Sequence, residues 1–356
     1  MKIKINPDQY NPFLKALKRA ADVSKVKTTI PELGAALITT TENGILIRAT
    51  NIDQGFDISV ECEIEKKGEC MVSARDILQI ASIGKSMSIA VNENKAVIEC
   101  NGEFQLPIFS SENFPPFPKL ADPKEVQFSR DELKKIIRVG HAMSTPRDSR
   151  YTLQGICFNP VSKEGVASDG KRLAVTTPKP SSGYGSIVPD FAVRIIAGLV
   201  DDGEDIFKCQ FSQGAASFQS GNFVFYTQLI EGNYPNFTPI LPKSDFKISV
   251  NRESLIDAIT RARVAYCEKD CVKMVLYDST LDFHVEGKNA QSSVSLTLNQ
   301  KSPKKGDFAI SLNSVFLKEA AQAMEGEEVS LEFTDNLSPM AVRGDIYAVI
   351  MPMRTA

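Results

Sequence analysis

The sequence lacks the segments that place a protein in or beyond a membrane. No apolar run approaches the roughly 18 residues of a membrane-spanning helix. The N-terminal MKIKINPDQY has no apolar stretch of the kind that a signal peptide requires. Cysteine is sparse too: the seven residues are odd in number and scattered, which is typical of reduced thiols and argues against a disulfide framework. We therefore expect a cytoplasmic protein with no membrane anchor.

Histidine is scarcer still, and its scarcity bears on catalysis. The two histidines, His141 and His284, stand outside any HExxH or His-x-Glu motif. Cys267 and Cys271 have no second pair of ligands nearby, which argues against a structural zinc site. These shortages predict a protein with no metal, no cofactor and no catalytic site.

One enzymatic alternative stays open at this point. Asp148 and Asp169 could form the carboxylate pair of a Mg²⁺-dependent nucleic-acid-processing enzyme, although no DxD or ExK pattern surrounds them. The segment SDGKR, residues 168–172, also lacks the GxxxxGK[ST] spacing of a phosphate-binding loop.

What the sequence does contain is repetition. Its 356 residues, 42% hydrophobic and 24% charged, are enough for two or three globular domains. Three segments, at residues 96–109, 216–230 and 340–353, are typical of two strands joined at a glycine. Their glycines, Gly102, Gly221 and Gly344, are 119 and 123 residues apart. This spacing predicts three similar domains.

Helical segments recur with the same period. One set lies upstream of the glycines, at residues 72–84, 188–200 and 310–324, and a second set opens each third, at 11–23, 129–143 and 251–266. Proline-rich joints at 112–124 and 231–243 divide the chain into domains 1–124, 125–246 and 247–356. The predicted fold is α+β, with three repeated domains that each pack two helices on an antiparallel β-sheet.

The first helix of each third has a basic face opposite its apolar stripe. A single basic face is usually only a solvated surface. Its recurrence in a chain of net charge −3 indicates a polyanion bound through its phosphates without base reading. The basic side chains are Lys15, Lys18 and Arg19, then Lys134, Lys135 and Arg138, then Arg252, Arg261 and Arg263.

Four segments resemble the bacterial sliding clamp family, the β subunits of replicative DNA polymerases. They are RDSRYTLQGICF (147–158), ASDGKRLAV (167–175), EGNYPNFTPILP (231–242) and YAVIMPMR (347–354). The resemblance implies a head-to-tail homodimer that closes a ring around duplex DNA and is placed there by an ATP-dependent clamp loader. It also implies a processivity factor without chemistry of its own, which tethers the replicative polymerase and other clamp-binding-motif proteins.

The resemblance gives the apolar C-terminus a role. From the residues alone, the simpler interpretation is that Val349, Met351 and Met353 are core side chains of a last strand. In the family, the corresponding segment lines a groove for partner peptides, and flexible methionines suit varied apolar anchors. By position the groove comprises Arg150, Thr152, Leu153, Ser168, Gly170, Lys171, Arg172, Leu173, Pro242, Val349, Met351, Pro352, Met353 and Arg354.

Two further sets of residues follow from the resemblance. It adds Lys27 and Arg147 to the DNA contacts made by Lys15, Lys18, Arg19, Lys134, Lys135 and Arg138. It places Ile80, Ile83, Phe104 and Leu106 of one chain against Ala265 and Tyr266 of the other at the dimer interface. Since Asp76 stands where the family often has a basic residue, we expect apolar packing to dominate ring closure.

Overall fold

The structure is a computed structural model that describes residues 1–24, 30–92, 94–145, 148–178, 185–202, 204–265, 267–304 and 306–354. Contacts divide the chain into two compact units. The first comprises Met1–Arg130 and Arg194–Leu229, and the second comprises Asp131–Val193 and Ile230–Ala356. In the described part of the chain, no helix is both long and apolar enough to cross a membrane.

All six predicted helices are confirmed. They are α1 (Pro7–Val23), α2 (Ala74–Ala81), α3 (Arg130–Arg138), α4 (Asp190–Asp202), α5 (Arg252–Ala262) and α6 (Ser314–Ala323). Polar caps set several starts, because a side-chain oxygen satisfies an amide that the helix leaves unpaired. Asn251 accepts from the Ser254 amide at 2.9 Å, and Ser73 accepts from the Asp76 amide at 3.3 Å. Helix α1 begins four residues earlier than predicted, at Pro7, a residue suited to a first turn.

Twenty-five strands occur in the described residues. The first third contains β1 (Lys2–Ile5), β2 (Ala35–Thr40), β3 (Gly44–Thr50), β4 (Gln54–Glu61), β5 (Glu63–Lys66), β6 (Glu69–Ser73), β7 (Met87–Asn92), β8 (Lys95–Glu99) and β9 (Glu103–Pro107). The second contains β10 (Lys124–Ser129), β11 (Gly155–Asn159), β12 (Glu164–Ser168), β13 (Arg172–Val175), β14 (Ser186–Pro189), β15 (Ile206–Phe211), β16 (Ala215–Ser220) and β17 (Phe223–Gln228). The last contains β18 (Phe246–Asn251), β19 (Cys271–Leu276), β20 (Thr280–Glu286), β21 (Gln291–Thr297), β22 (Phe308–Asn313), β23 (Glu328–Phe333), β24 (Met340–Arg343) and β25 (Tyr347–Ile350).

The element order repeats twice within each third. A short strand leads into a helix, and three antiparallel strands follow, as in β10, α3 and β11 to β13 and again in β14, α4 and β15 to β17. The first third adds β5 to this pattern. The three predicted glycine hairpins are confirmed as the pairs β8 with β9, β16 with β17 and β24 with β25. The short strand before each helix was not predicted.

The strands form four sheets, and two of these cross from one third to the next. The five-stranded sheet runs β5-β1-β7-β8-β9, and the four-stranded sheet runs β21-β20-β19-β22. The eight-stranded sheets run β10-β15-β16-β17-β4-β3-β2-β6 and β14-β11-β12-β13-β25-β24-β23-β18. Each third therefore divides its strands between two sheets instead of building one. Domain limits at residues 124 and 246 stay a prediction.

Helix α1 shows how the sequence divides a core face from a solvent face. Phe13, Leu17 and Ala20 are spaced by three or four residues and are fully buried, while Lys15 and Lys18 between them are exposed. The predicted basic face of this helix is thus present.

Candidate functional site

The last strand, β25, contributes to a buried apolar cluster in the second compact unit. Its Tyr347 and Val349 pack with Leu173 and Val175 of β13, and Leu173 lies directly opposite Val349 in the ladder. Val349 is 1% exposed and Leu173 is 2% exposed. Both side chains are therefore buried beneath the surface at which the groove is predicted.

The cluster becomes accessible at its margins. Half-buried Ile230, Tyr234 and Leu241, from the segment after β17, pack against it. Met351 follows directly after β25 and lies outside the ladder that buries Tyr347 and Val349. Unlike those two, Met351 is 41% exposed. The chain thus passes from a buried strand to an exposed methionine within two residues.

The segment after β25 is held by the backbone. The amide of Met351 donates to the Lys171 carbonyl at 3.0 Å, and the amide of Met353 donates to the Ser311 carbonyl of β22 at 2.7 Å. Pro352 and Met353 are half-buried, and Arg354 is exposed. These bonds fix the tail to the loop before β13 and to β22, so the backbone at both methionines has a defined position.

A polar corner adjoins the loop between β12 and β13, at residues 169–171. The Arg150 guanidinium donates to Asp148 at 3.0 Å from Nε and 2.7 Å from Nη2, and Nη2 also donates to the Asp169 carbonyl at 2.8 Å. These bonds hold the pKa of the Asp148 carboxyl well below its usual range. A Cβ on Gly170, where φ is +79°, would lie 2.1 Å from Arg150 Nη1. Glycine suits this position because it adopts a positive φ at no steric cost, and its lack of a side chain lets the guanidinium rest on the loop.

Arg172 leaves β13 on the side opposite Leu173. Its Nε donates to Asp169 at 3.1 Å, and Nη1 pairs with Glu319 of α6. Its guanidinium carbon lies 4.2 Å from the centre of the Phe316 ring, a geometry that favours cation–π attraction. Arg172 therefore joins the strand to α6, and any peptide contact would have to be made from that position.

The other predicted groove residues lie around these two areas. Leu153 and Ser168 are buried, while Thr152 and Pro242 are half-buried and Lys171 is exposed. No observation tests peptide binding at these positions, so the groove assignment stays a prediction. The sequence did not predict that Tyr234 and Leu241 pack against the apolar cluster, or that Phe316 contacts Arg172. The aromatic-proline joint that contains Tyr234 was the one available signal.

Comparison with known families accounts for almost the whole chain. The descriptions that match are DNA polymerase III beta subunit, N-terminal domain (residues 1–122), central domain (127–236) and C-terminal domain (238–354). The chain belongs to the DNA polymerase III beta subunit family. The resemblance stated from the four segments is thereby confirmed, and so is a fold of three clamp domains with mixed helices and antiparallel sheets.

Individual relatives agree with the family assignment. The beta sliding clamp of Staphylococcus aureus (strain N315) is 24% identical over 371 residues, covering 98% of this chain and 96% of that one. The sliding clamp structure from Bacillus subtilis superposes with a TM-score of 0.88 at 22% identity, covering 100% of both chains. The Helicobacter pylori beta clamp bound to a DNA ligase peptide gives a TM-score of 0.87 at 21% identity, again covering 100% of both.

The enzymatic alternative is not supported. Asp148 is bound by Arg150 and by the Ser144 hydroxyl at 2.6 Å, and Asp169 accepts the amides of Lys171 and Arg172 at 2.8 and 3.0 Å. Both carboxylates thus stabilise loops. Among the residues that the structure describes, no group of three or more His, Cys, Asp or Glu could hold a metal ion.

The predicted DNA contacts differ in their surroundings. Lys15 and Lys18 are exposed on α1, and Lys134 and Lys135 are half-buried on α3. Two arginines are engaged within the chain. Arg19 donates to the Gly198 carbonyl at 2.7 Å. Arg138 donates to Asp345 at 2.5 Å and to the Ala323 carbonyl at 3.0 Å.

The remaining basic residues are either outside the described part of the chain or paired with acidic side chains. Lys27 and Arg147 lie outside the described residues. In the last third, Arg261 pairs with Asp257 at 2.9 Å and Arg263 with Asp270 at 3.3 Å. DNA binding by any of these residues stays a prediction.

The predicted dimer residues lie near two outermost strands. Half-buried Phe104 and Leu106 are on β9, the last strand of its sheet, and Ile83 after α2 is 56% exposed, whereas Ile80 is buried. Ala265 is 4% exposed; Tyr266 is outside the described residues. Val264 (82% exposed) is next to Ala265, and the half-buried Val294 and Leu296 lie on β21, the outermost strand of the four-stranded sheet; the sequence patterns did not single these residues out. A dimer contact at any of these positions stays a prediction.

Proposed function

We propose that this chain is a processivity factor for a replicative DNA polymerase, acting as a homodimeric ring around duplex DNA and performing no chemistry of its own. The observation that carries the proposal is the tandem of three beta-subunit domains, which extends over residues 1–354. Its DNA substrate makes the cytoplasm the expected compartment.

Ring closure is proposed to pair β9 of one chain with β21 of the other. Both are outermost strands in the described sheets, and an edge strand presents unpaired amides and carbonyls to a partner. Their side chains alternate between exposed and half-buried, with Phe104 and Leu106 on β9 and Val294 and Leu296 on β21. Joining the edges would bury these four side chains, at roughly 25 cal/mol per Å² of apolar area.

DNA is proposed to pass the basic face of α1. Lys15 and Lys18 are exposed there, so phosphates can reach them without disturbing the fold. Contacts with phosphates alone carry no sequence information and weaken with salt. Such binding suits a ring that has to move along any sequence.

Partner peptides are proposed to bind where the apolar floor of Leu173 and Val349 meets Met351. The Helicobacter pylori relative was crystallised with a DNA ligase peptide, and this chain has the same fold. A leucine-like anchor would cover the exposed part of Met351, while Lys171 and Arg354, both exposed, would meet acidic or amide groups of the peptide. Polymerase, clamp loader and other motif-bearing proteins would then compete for one surface.

The decisive experiment compares circular with linear DNA. Protein loaded on a nicked circle by an ATP-dependent clamp loader should stay bound through gel filtration, and should be lost after one restriction cut opens the circle. The same cut made before loading serves as the control. Equal retention on circular and linear DNA would exclude encirclement, because a protein that binds one side of the duplex cannot sense its ends.

A further inference from the structure

Two of the seven cysteines differ from the others in their accessibility. Cys267 and Cys271, which follow helix α5 in the second compact unit, are half-buried. The other five thiols are buried and at most 8% exposed: Cys62, Cys70, Cys100, Cys157 and Cys209. Because a thiol must be reached before it can react, a thiol reagent in solution meets the accessible pair first.

The chain folds back between these two cysteines. The Asp270 amide donates to the Cys267 carbonyl at 2.9 Å, which closes a four-residue turn. Asp270 then adopts the left-handed conformation, with a φ of +51°. A turn followed by a left-handed residue is a common three-residue loop, and it places the two flanking residues opposite each other. Residues so placed have Cα atoms about 5.5 Å apart, within the roughly 4.4–6.8 Å that a disulfide spans.

Contacts on both sides hold this turn in place. The Asp270 carbonyl accepts from the Ser314 amide of α6 at 2.7 Å, and its carboxylate pairs with Arg263 at 3.3 Å. Burial raises the pKa of the Cys271 thiol, and the neighbouring Cys267 raises that pKa further. The influence of one sulfur on the other means that the two lie close together in the folded chain.

We propose that Cys267 and Cys271 form a dithiol site that low-molecular-weight disulfides oxidise to a disulfide within the turn. One protein thiolate attacks a sulfur of the oxidant, and the other half of the oxidant leaves as a thiolate that takes up a proton. The second protein thiolate attacks the mixed disulfide, forms the internal S–S bond and releases the remaining half in the same way. Two electrons thus pass to the oxidant, which becomes two thiols, and an excess of thiol reverses the reaction.

The site adjoins the proposed ring-closing surface, and this consequence alone rests on the proposed function. Val264, which is 82% exposed, and Ala265 directly precede the turn. A disulfide removes freedom from this segment that dimerisation would otherwise have to remove. The oxidised protein should therefore dimerise about three- to tenfold more tightly than the reduced protein. Light scattering on dilution measures this, with oxidant-treated Cys267→Ser as the control, and equal dimer affinity in both forms would reject the consequence.

The test of the chemistry uses oxidised glutathione and the full-length protein. Wild type should lose two thiols and the mass of two hydrogen atoms, and it should retain little bound glutathione. Trypsin cleaves after Lys269, between the two cysteines, so the internal disulfide is identified as two linked peptides in non-reducing mass spectrometry. Cys267→Ser and Cys271→Ser should each retain one glutathione, because no second thiol displaces it.

A matched pair of variants tests the turn itself. Asp270→Gly and Asp270→Val both remove the ion pair with Arg263, but only glycine adopts a positive φ without strain. Asp270→Gly should form the internal disulfide as wild type does, to within about twofold. Asp270→Val should lower the ratio of internal disulfide to glutathione adduct about five- to tenfold, because a β-branched residue resists the left-handed conformation. A thermal melt confirms that both variants are folded.

Three results would overturn the dithiol site. The first is a wild-type protein that retains one glutathione on each of Cys267 and Cys271, which would show that the thiols cannot meet. The second is oxidation of the buried thiols as fast as this pair, and the third is a disulfide between chains in place of one within the turn. These readouts come from the thiols and not from the dimer, so the dithiol site and the proposed ring can fail separately.

Discussion

Val349→Ala and Met351→Ala form a matched pair that separates a partner groove from an ordinary core. Val349 is 1% exposed inside the cluster with Leu173 and Tyr347, whereas Met351, two residues later and beyond the end of β25, is 41% exposed. Truncating Val349 removes two methyl groups at about 0.8 kcal/mol each and leaves a cavity, so the free energy of unfolding should fall by about 2 kcal/mol. Met351→Ala should lower it by less than about 1 kcal/mol, because much of that side chain is already in water.

Peptide affinity should change in the opposite order. If Met351 is a central anchor contact, its truncation should weaken a clamp-binding peptide by about 1–3 kcal/mol. Val349 lies beneath the surface, so its effect per folded molecule should be smaller. Fluorescence polarisation with a labelled DNA ligase peptide gives the affinity, and urea titration of the same variants gives the stability.

The reverse outcome would refute the groove. A Met351→Ala protein destabilised as much as Val349→Ala, with unchanged affinity for the peptide, would show that Met351 is a core residue. The apolar end of the chain would then be only the last strand of a sheet.

Three further predictions concern single side chains. Arg138→Ala should cost about 1–3 kcal/mol of stability, because it removes the ion pair with Asp345 and leaves that carboxylate only the Glu325 amide. Lys135→Ala should cost less, because Lys135 adds only a weaker attraction to Asp345; similar melts would contradict this. Burial raises the pKa of Asp57 from 3.8 to about 6, so the folded state retains a proton there and stability falls as pH rises between these values. Asp57→Asn should remove that fall, gaining roughly 1–2 kcal/mol on wild type from about pH 4 to pH 7; parallel stability curves would argue against it. Leu106→Asp on β9 should convert the proposed dimer to the single 39.1 kDa chain in light scattering, and an unchanged dimer would exclude β9 as the interface strand.

Local patterns carried most of the fold prediction. The six helices have an apolar stripe, and several have a capping residue, while the three hairpins centre on Gly102, Gly221 and Gly344. These signals lie within a few residues of one another. The pairing of β17 with β4 and of β13 with β25 joins segments that are distant in sequence. Such pairing leaves no periodic trace, so the sequence could not reveal it.

The candidate site was less predictable for the same reason. Leu173 and Val349 were both assigned to the groove, but their burial follows from a partner strand about 175 residues away. Likewise, the sequence around Arg138 is typical of a solvent-exposed basic residue on a helix. The pairing of Arg138 with Asp345 is formed only in the folded chain. Charge on a helix face can therefore be predicted from the sequence, whereas its availability to a ligand cannot.

The pairing of β17 with β4 decides which pieces of this chain can be excised. The repeat pattern suggests that residues 1–124 could be produced as a separate fragment. A protein cut at residue 124 would lose β17, and the backbone of β4 from Gln54 to Ile58 would be exposed. An uncovered edge of this kind is a template for aggregation. A fragment that splices 194–229 behind residue 130 follows the compact unit and keeps the covering strand. The fragment 1–124, cut at the repeat boundary, should aggregate. The fragment that joins 1–130 to 194–229, cut along the sheet, should be monodisperse.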